Sequence, residues 1–250
     1  MAGHSPWANI KHKKALIDNK RGKLWSKLSK AIMVAARMGG ADTDVNIRLR
    51  TAILDARAVS MPNANIERAI KAGTGESKAD NLEEILYEGY GPGGVAVICE
   101  ITTDNRNRTA GEIRNIFERN GGNLGSTNCV GYLFERKGMF LIAGDKATED
   151  QLMEIALEAG ADDVKSAAGN FEISCPVEAF GAVQAALDKA QIPTEMSKLV
   201  RVPSTTVDLE GENAKECLAM LQNLDDHDDV QNVFSNYNIA DATMAELENK

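Results

Sequence analysis

The sequence has few of the residues on which several classes of protein depend. Its 250 residues include four cysteines, three histidines and 5% aromatic residues. The cysteines lie 30 or more residues apart without a CxxC pair, which is typical of reduced core residues in a cytosolic protein. No apolar run approaches the roughly 18 residues that cross a bilayer. We therefore expect a globular cytoplasmic protein without a membrane partner.

Residue arrangements that support catalysis are also missing. No Ser-His-Asp, Cys-His or HExxH arrangement occurs. The glycine-rich segments 90–94 and 121–125 lack the GK[ST] of a phosphate loop and the strand-to-helix context of a dinucleotide site, so they are predicted to be turns. The acidic run, residues 225–229, lacks the ligand spacing of an EF-hand. We expect no enzyme activity, cofactor, metal or small-molecule substrate.

The net charge of −9 is unevenly distributed along the chain. Residues 1–75 contain 14 Lys and Arg against 5 Asp and Glu, whereas residues 76–250 contain 14 against 32. Such asymmetry indicates a basic segment that meets a polyanion and an acidic remainder that repels it. The alternative is two solvated surfaces of opposite sign.

The basic segment includes a predicted helix over residues 20–38. At 100° per residue its lysines form one arc and its apolar residues form another. Residues 1–40 hold nine Lys and Arg and a single acid, Asp18, so few carboxylates nearby neutralise the arc. A solvated helix face is the alternative to phosphate contacts, which we favour. The predicted nucleic-acid-binding residues are Lys11, Lys13, Lys14, Lys20, Arg21, Lys23, Lys27, Lys30, Arg48 and Arg50.

Because these lysines are assigned to binding, replacing Lys23, Lys27 and Lys30 by Glu is expected to abolish binding and leave the melting temperature nearly unchanged.

A second candidate site precedes a later helix. Thr109-x-x-Glu112 reads as a capping box that opens this helix, and the loop before it contains Asn105, Arg106, Asn107 and Arg108. Amides, guanidinium groups and a helix N-terminus suit a polyanion. Equally, the asparagines could form the turn while the arginines pair with the acidic part of the chain. The sequence leaves both interpretations open.

The pattern of elements predicts an α+β, multi-domain protein. Three helices (20–38, 46–58 and 63–72) form a helical domain over residues 1–75. Residues 137–205 follow the βαββαβ order of a ferredoxin-like domain, with Gly138 separating strand 130–135 from strand 139–143. A second ferredoxin-like βαββαβ-type domain, residues 82–136 plus 206–238, would be interrupted by the first.

Four motifs resemble the YebC/PmpR family. They are residues 1–14 (MAGHSPWANIKHKK), 87–95 (YEGYGPGGV), 104–109 (DNRNRT) and 121–125 (GGNLG). The resemblance implies three domains and a non-enzymatic, cytoplasmic DNA-binding transcriptional regulator. It also implies mitochondrial relatives that activate translation and some bacterial relatives that associate with ribosomes. Two positions depart from the family pattern: Pro6 stands where Lys is usual, and Ile47 where Pro is common.

The leading hypothesis is a regulator that binds the phosphates of duplex DNA through residues 1–75. The alternative is a ribosome- or RNA-associated translation factor, which would use the same charges. No base-reading residue and no oligomeric state is evident from the sequence.

Overall fold

A computed structural model describes residues 21–75, 82–167 and 169–240. Along the chain the helices and strands are α1 (Arg21–Gly39), α2 (Ile47–Ala58), α3 (Asn63–Gly73), β1 (Glu83–Tyr90), β2 (Ala96–Thr103), α4 (Arg106–Arg119), β3 (Asn123–Leu124), β4 (Phe134–Ala143), α5 (Glu149–Glu158), β5 (Asp163–Ala167), β6 (Asn170–Pro176), α6 (Phe180–Lys189), β7 (Met196–Pro203), β8 (Val207–Asp208), α7 (Gly211–Asp225), β9 (Val230–Ser235) and β10 (Tyr237–Asn238). The α+β class is confirmed.

The chain divides into two compact units. Within the described ranges, unit A comprises residues 21–131 and 209–235, and unit B comprises residues 132–208 and 236–240. Unit A therefore holds the three N-terminal helices together with a four-stranded sheet. The finer division into three domains with the boundaries given above stays a prediction.

The three predicted helices of unit A are present within a residue or two of their expected ends. Asn46 fixes the connection between α1 and α2. Its Oδ1 accepts a hydrogen bond from the Leu49 N–H (3.0 Å), and its Nδ2 donates to the carbonyls of Ala35 and Gly40, each at 2.8 Å. One buried side chain thus caps the start of α2 and ties it to the end of α1.

The sheet of unit A has the order β3-β1-β2-β9, with every pair antiparallel. Along the chain the elements of this part follow the order ββαβαβ, where the sequence predicted βαββαβ. Numbered along the chain, the four strands lie in the order 3-1-2-4, which also differs from the order 2-3-1-4 of the sheet in unit B. The strand beside β2 is β1, residues 83–90, which precedes it in the chain and which the sequence pattern did not reveal. The strand expected at 130–135 does not occupy that place. Residues 131–133 instead form a short 3₁₀ turn that leads into β4 of unit B.

Unit B contains the predicted ferredoxin-like order. Its sheet is antiparallel in the order β5-β6-β4-β7, and α5 and α6 pack on it through a core that includes Leu152 and Leu187. The expected break at Gly138 was wrong, because β4 runs unbroken through it. A Cβ there would lie 2.5 Å from the Phe180 ring, so the glycine admits Phe180 against the strand. The rings of Phe140 and Phe180 stack at 4.9 Å.

The cysteines are free thiols, as expected for core residues. Cys99, Cys175 and Cys217 are buried. Burial raises the pKa of Cys175 to about 11 and that of Cys217 to about 12. None of the helices in the described ranges combines the length and the apolar character needed to span a bilayer.

Candidate nucleic-acid interface

The lysine stripe of α1, namely Lys23, Lys27 and Lys30, lies against the acidic run, residues 225–229. Lys23 donates to the main-chain carbonyl of Asp226 at 3.1 Å, and Lys27 donates to the carbonyl of Asp225. Lys30 donates to the Asp228 carbonyl at 3.0 Å. The carbonyls at the end of α7 attract cations because they form the negative end of a helix dipole. The stripe therefore binds within its own chain.

Asp229 joins this stripe to the second candidate site. Its Oδ1 accepts from Lys30 Nζ at 2.6 Å, while its Oδ2 accepts from Arg108 at 2.8 Å and from the Thr109 hydroxyl at 2.7 Å. The Thr103 hydroxyl lies 3.2 Å from the same oxygen. We call these five residues the Asp229 cluster. It connects α1, β2, α4 and the segment before β9.

Electrostatics keep the centre of this cluster ionised. Burial acts to raise the pKa of Asp229, but hydrogen bonds from Lys30, Thr109 and Arg108 outweigh it and hold the pKa well below the usual range of a carboxyl. The Asp229 side chain is only 4% exposed. Burial also lowers the pKa of Lys27, although Asp225, Asp226 and Asp228 act in the opposite direction.

The structure divides the loop at 105–108 between two roles. Asn105 is the N-cap of α4, and its side chain accepts from the Arg108 N–H at 3.1 Å. Arg108 bridges Asp104 (2.9 Å) and Asp229. Arg106 and Asn107 are exposed on the first turn of α4. Two of the four residues thus hold the helix in place.

The predicted capping box was wrong. The N-cap of α4 is Asn105, four residues before the predicted N-cap, so Thr109 lies inside the first turn of the helix. There the Thr109 hydroxyl also contacts the Asn105 carbonyl at 3.1 Å. The carboxylate of Asp229, from a distant segment of the chain, accepts a hydrogen bond from the Thr109 hydroxyl. Local sequence spacing does not reveal such a partner, so the sequence placed the start of the helix wrongly.

Glu112, His227 and Asp229 form a group whose potential ligand atoms lie within 4.8 Å of one another. His227 Nδ1 accepts from the Asp229 N–H at 3.1 Å, so in the neutral ring Nε2 carries the proton and faces Glu112 Oε2 at 2.9 Å. A metal ion would have to displace Lys30 and Arg108 from Asp229. The Asp229 carboxylate is already paired with these two cations, so the group does not suit a further cation.

The other predicted contacts occupy different positions. Arg48 forms an ion pair with Glu84, and Arg50 is exposed without an ion pair to any other described residue. Arg21 is the first residue of α1. Lys11, Lys13, Lys14 and Lys20 lie outside the described residues.

Three further exposed cations of α2 and α3 were not predicted. Arg57 on α2 and Arg68 and Lys71 on α3 are exposed, and none forms an ion pair within the described ranges. Their helical spacing was visible in the sequence, since it places Arg68 and Lys71 away from the buried face of α3 and Arg57 at the side of the buried face of α2. We call Arg50, Arg57, Arg68 and Lys71 the uncovered cations.

Comparison with known proteins identifies the family. A family model described as the TACO1/YebC protein N-terminal domain matches residues 5–76. A second, described as the TACO1/YebC second and third domain, matches residues 82–237. The chain belongs to the TACO1/YebC family. The resemblance seen in the sequence motifs is thereby confirmed.

Relatives within the TACO1/YebC family match nearly the whole chain. A probable transcriptional regulatory protein of Rhodopirellula baltica is 56% identical over 98% of this chain and 100% of its own length. Another, from Natranaerobius thermophilus, is 53% identical over 98% and 99%. The crystal structure of a conserved hypothetical protein from Aquifex aeolicus superposes with a TM-score of 0.84, at 46% identity over 95% of this chain and 98% of that one.

Proposed function

We propose that this TACO1/YebC protein is a non-enzymatic transcriptional regulator that binds duplex DNA through its helical N-terminal region, residues 1–75, in the cytoplasm. The observation that carries the proposal is the set of uncovered cations on α2 and α3. The names of the relatives as probable transcriptional regulatory proteins support it.

Charge distribution determines which surface faces the polyanion. The acidic run already binds the lysine stripe, so the stripe has fewer free donors for phosphate. The uncovered cations keep their donors free for phosphate, and we propose Lys11, Lys13, Lys14, Lys20 and Arg21 as further contacts. Cations of this kind supply affinity without reading sequence.

Salt dependence tests the proposal. Fluorescence anisotropy with a mixed-sequence DNA duplex should give a log Kd that rises linearly with log salt concentration. Arg50→Ala/Arg57→Ala should reduce the magnitude of that slope by about 2, because each lost phosphate contact removes about 0.9. Both side chains are exposed, so thermal stability should stay near that of the wild type.

The matched control is Lys189→Ala/Lys198→Ala, which removes two exposed charges from unit B and should leave the slope unchanged. An equal reduction of the slope in the control variant would mean that DNA binding depends only on the total charge of the protein. Tighter binding to an RNA duplex or to ribosomes than to DNA would favour the translation-factor alternative and contradict the proposal.

A further inference from the structure

The connection between α2 and α3 is a tight, well-defined turn of four residues, 59–62. Ser60 adopts a left-handed conformation, with φ of 59°. The Ser60 N–H donates to the Arg57 carbonyl and the Met61 N–H to the Ala56 carbonyl, each at 2.9 Å. This pair of bonds is a Schellman motif. It ends α2 abruptly and redirects the chain within two residues.

Packing holds this turn from the inside. Met61 is buried together with Ala56, in the same core as Ile32 of α1. From α1 the Trp25 indole N–H donates to the Val59 carbonyl at 3.3 Å. The turn is therefore supported by both the helix end and the core.

Helix α3 starts directly after the turn and packs on α1. Pro62 precedes it with φ of −59°, and the Asn65 N–H donates to the Pro62 carbonyl at 2.9 Å. Ile66, Ala69 and Gly73 are buried on the inner face. Two helices that are joined by a turn of this length and both pack on a preceding helix have the connection expected of a helix-turn-helix.

The outer face of α3 forms a single exposed arc. At 100° per residue it covers about 140° of the circumference. Its members are Asn63, Ala64, Glu67, Arg68 and Lys71. The arc has no large apolar or aromatic side chain of the kind that anchors protein interfaces. It carries instead an amide, a guanidinium, a carboxylate, a methyl and an ammonium group, which are the groups that read base edges and phosphates.

We infer that α2 and α3 form a helix-turn-helix whose second helix, α3, enters the major groove of duplex DNA and reads base pairs. Asn63 and Ala64, at the start of the helix, face the base edges together with Arg68. Lys71 and Arg57 lie on the phosphates that flank the groove. The inference rests on the proposed function and adds sequence recognition to it.

The geometry of the groove favours duplex DNA as the partner. The major groove of B-form DNA admits an α-helix, and the N-terminal residues of a recognition helix contact the bases. The major groove of A-form RNA is too deep and narrow for that contact. Arg68 suits the O6 and N7 acceptors of guanine, and Asn63 suits adenine. Each such pair discriminates against the wrong base by roughly 5- to 150-fold, which corresponds to about 1–3 kcal/mol.

Binding-site selection from a randomised DNA duplex tests the inference with the full-length protein. The wild type should enrich a defined motif. Arg68→Ala should lose preference at one base pair of that motif and reduce the salt slope by no more than about 1. Asn63→Ala should lose preference at a different base pair. The control Lys189→Ala should select the wild-type motif, and circular dichroism should show equal helix content in all four proteins.

The outcomes separate the two proposals. If the wild type binds duplex DNA but enriches no motif, or if both α3 variants select the wild-type motif, base reading by α3 is overturned while DNA binding stands. If the wild type binds no duplex DNA, or prefers RNA, both proposals fail. Loss of preference at single positions with retained affinity supports the helix-turn-helix.

Discussion

At the scale of single residues, Asp229 joins several separate segments of unit A. One nearly buried carboxylate accepts hydrogen bonds from a lysine of α1, an arginine of α4 and a threonine hydroxyl. Its main-chain carbonyl also accepts from the Thr102 N–H of β2 at 2.8 Å. A buried charge is tolerated only when its lone pairs are satisfied in this way. Removing the charge would leave two cations without their shared partner.

Asp229→Asn should destabilise the protein by about 2–3 kcal/mol at neutral pH. Because the pKa of Asp229 is held below its usual range, the stabilisation is complete above the unfolded-state pKa of about 4 and is lost as the pH falls below it. Urea unfolding at neutral pH and near pH 3 should therefore show a difference between variant and wild type that shrinks at the lower pH.

Asp228→Asn is the control for this measurement. The Asp228 carboxylate is exposed and lies 3.8 Å from Lys23, so its loss should cost no more than about 0.5 kcal/mol. A destabilisation by Asp229→Asn that is the same at both pH values would contradict the assigned ionisation.

At the scale of secondary-structure elements, the turn at Ser60 determines how α3 is presented. A non-glycine residue in the left-handed region pays roughly 1–2 kcal/mol in steric strain. The bonds from Ser60 and Met61 to the end of α2 and the burial of Met61 outweigh that strain. The left-handed conformation of Ser60 thus helps to set the direction in which α3 leaves the turn.

Ser60→Gly should stabilise the protein by up to about 1 kcal/mol, because glycine adopts a positive φ without the clash of a Cβ. Ser60→Val should destabilise it, because a β-branched side chain is a poor fit for this conformation. Thermal unfolding followed by circular dichroism measures both. If valine were tolerated as well as glycine, the turn would not depend on the left-handed conformation.

At the scale of the whole molecule, the opposite charges of the two parts of the sequence meet inside unit A. The lysine stripe is neutralised by the acidic run, about 200 residues further along the chain. The inference that few carboxylates neutralise these lysines held only for their neighbours in sequence. The charge asymmetry therefore stabilises the contact between α1 and the end of α7, and the uncovered cations remain for a partner.

This arrangement reverses the expectation that the stripe affects binding alone. Lys23→Gln/Lys27→Gln/Lys30→Gln should lower the melting temperature, because it removes the donors to the carbonyls at the end of α7 and to Asp229. It should change the salt slope of DNA binding by less than Arg50→Ala/Arg57→Ala does. Thermal unfolding and anisotropy on the same samples measure both effects. An unchanged melting temperature with abolished DNA binding would instead support the assignment made from the sequence.

Local patterns were sufficient for the elements whose ends are set by their own residues. The three N-terminal helices and the βαββαβ order of unit B could be predicted from apolar spacing, Asn46 and Pro62. The sequence-based predictions were wrong at positions where the role of a residue depends on a partner far away in the sequence. Gly138 reads as a break, but it admits Phe180. Thr109 reads as a cap, but it contacts Asp229. The strand at 83–90 lacks a strong alternation because one of its buried side chains is Glu88, which accepts from the main-chain N–H groups of Asn128, Val130 and Gly131.

The sequence by itself determined the fold class, the family and the concentration of positive charge in residues 1–75, because periodicity, motifs and composition are properties of the chain. Only the tertiary structure decided which of those charges are free. Electrostatic pairing depends on distance in space, and the acidic run lies beside the lysine stripe because the strand that follows it, β9, pairs with β2 in the sheet of unit A. The uncovered cations of α2 and α3 take no part in that pairing and stay exposed.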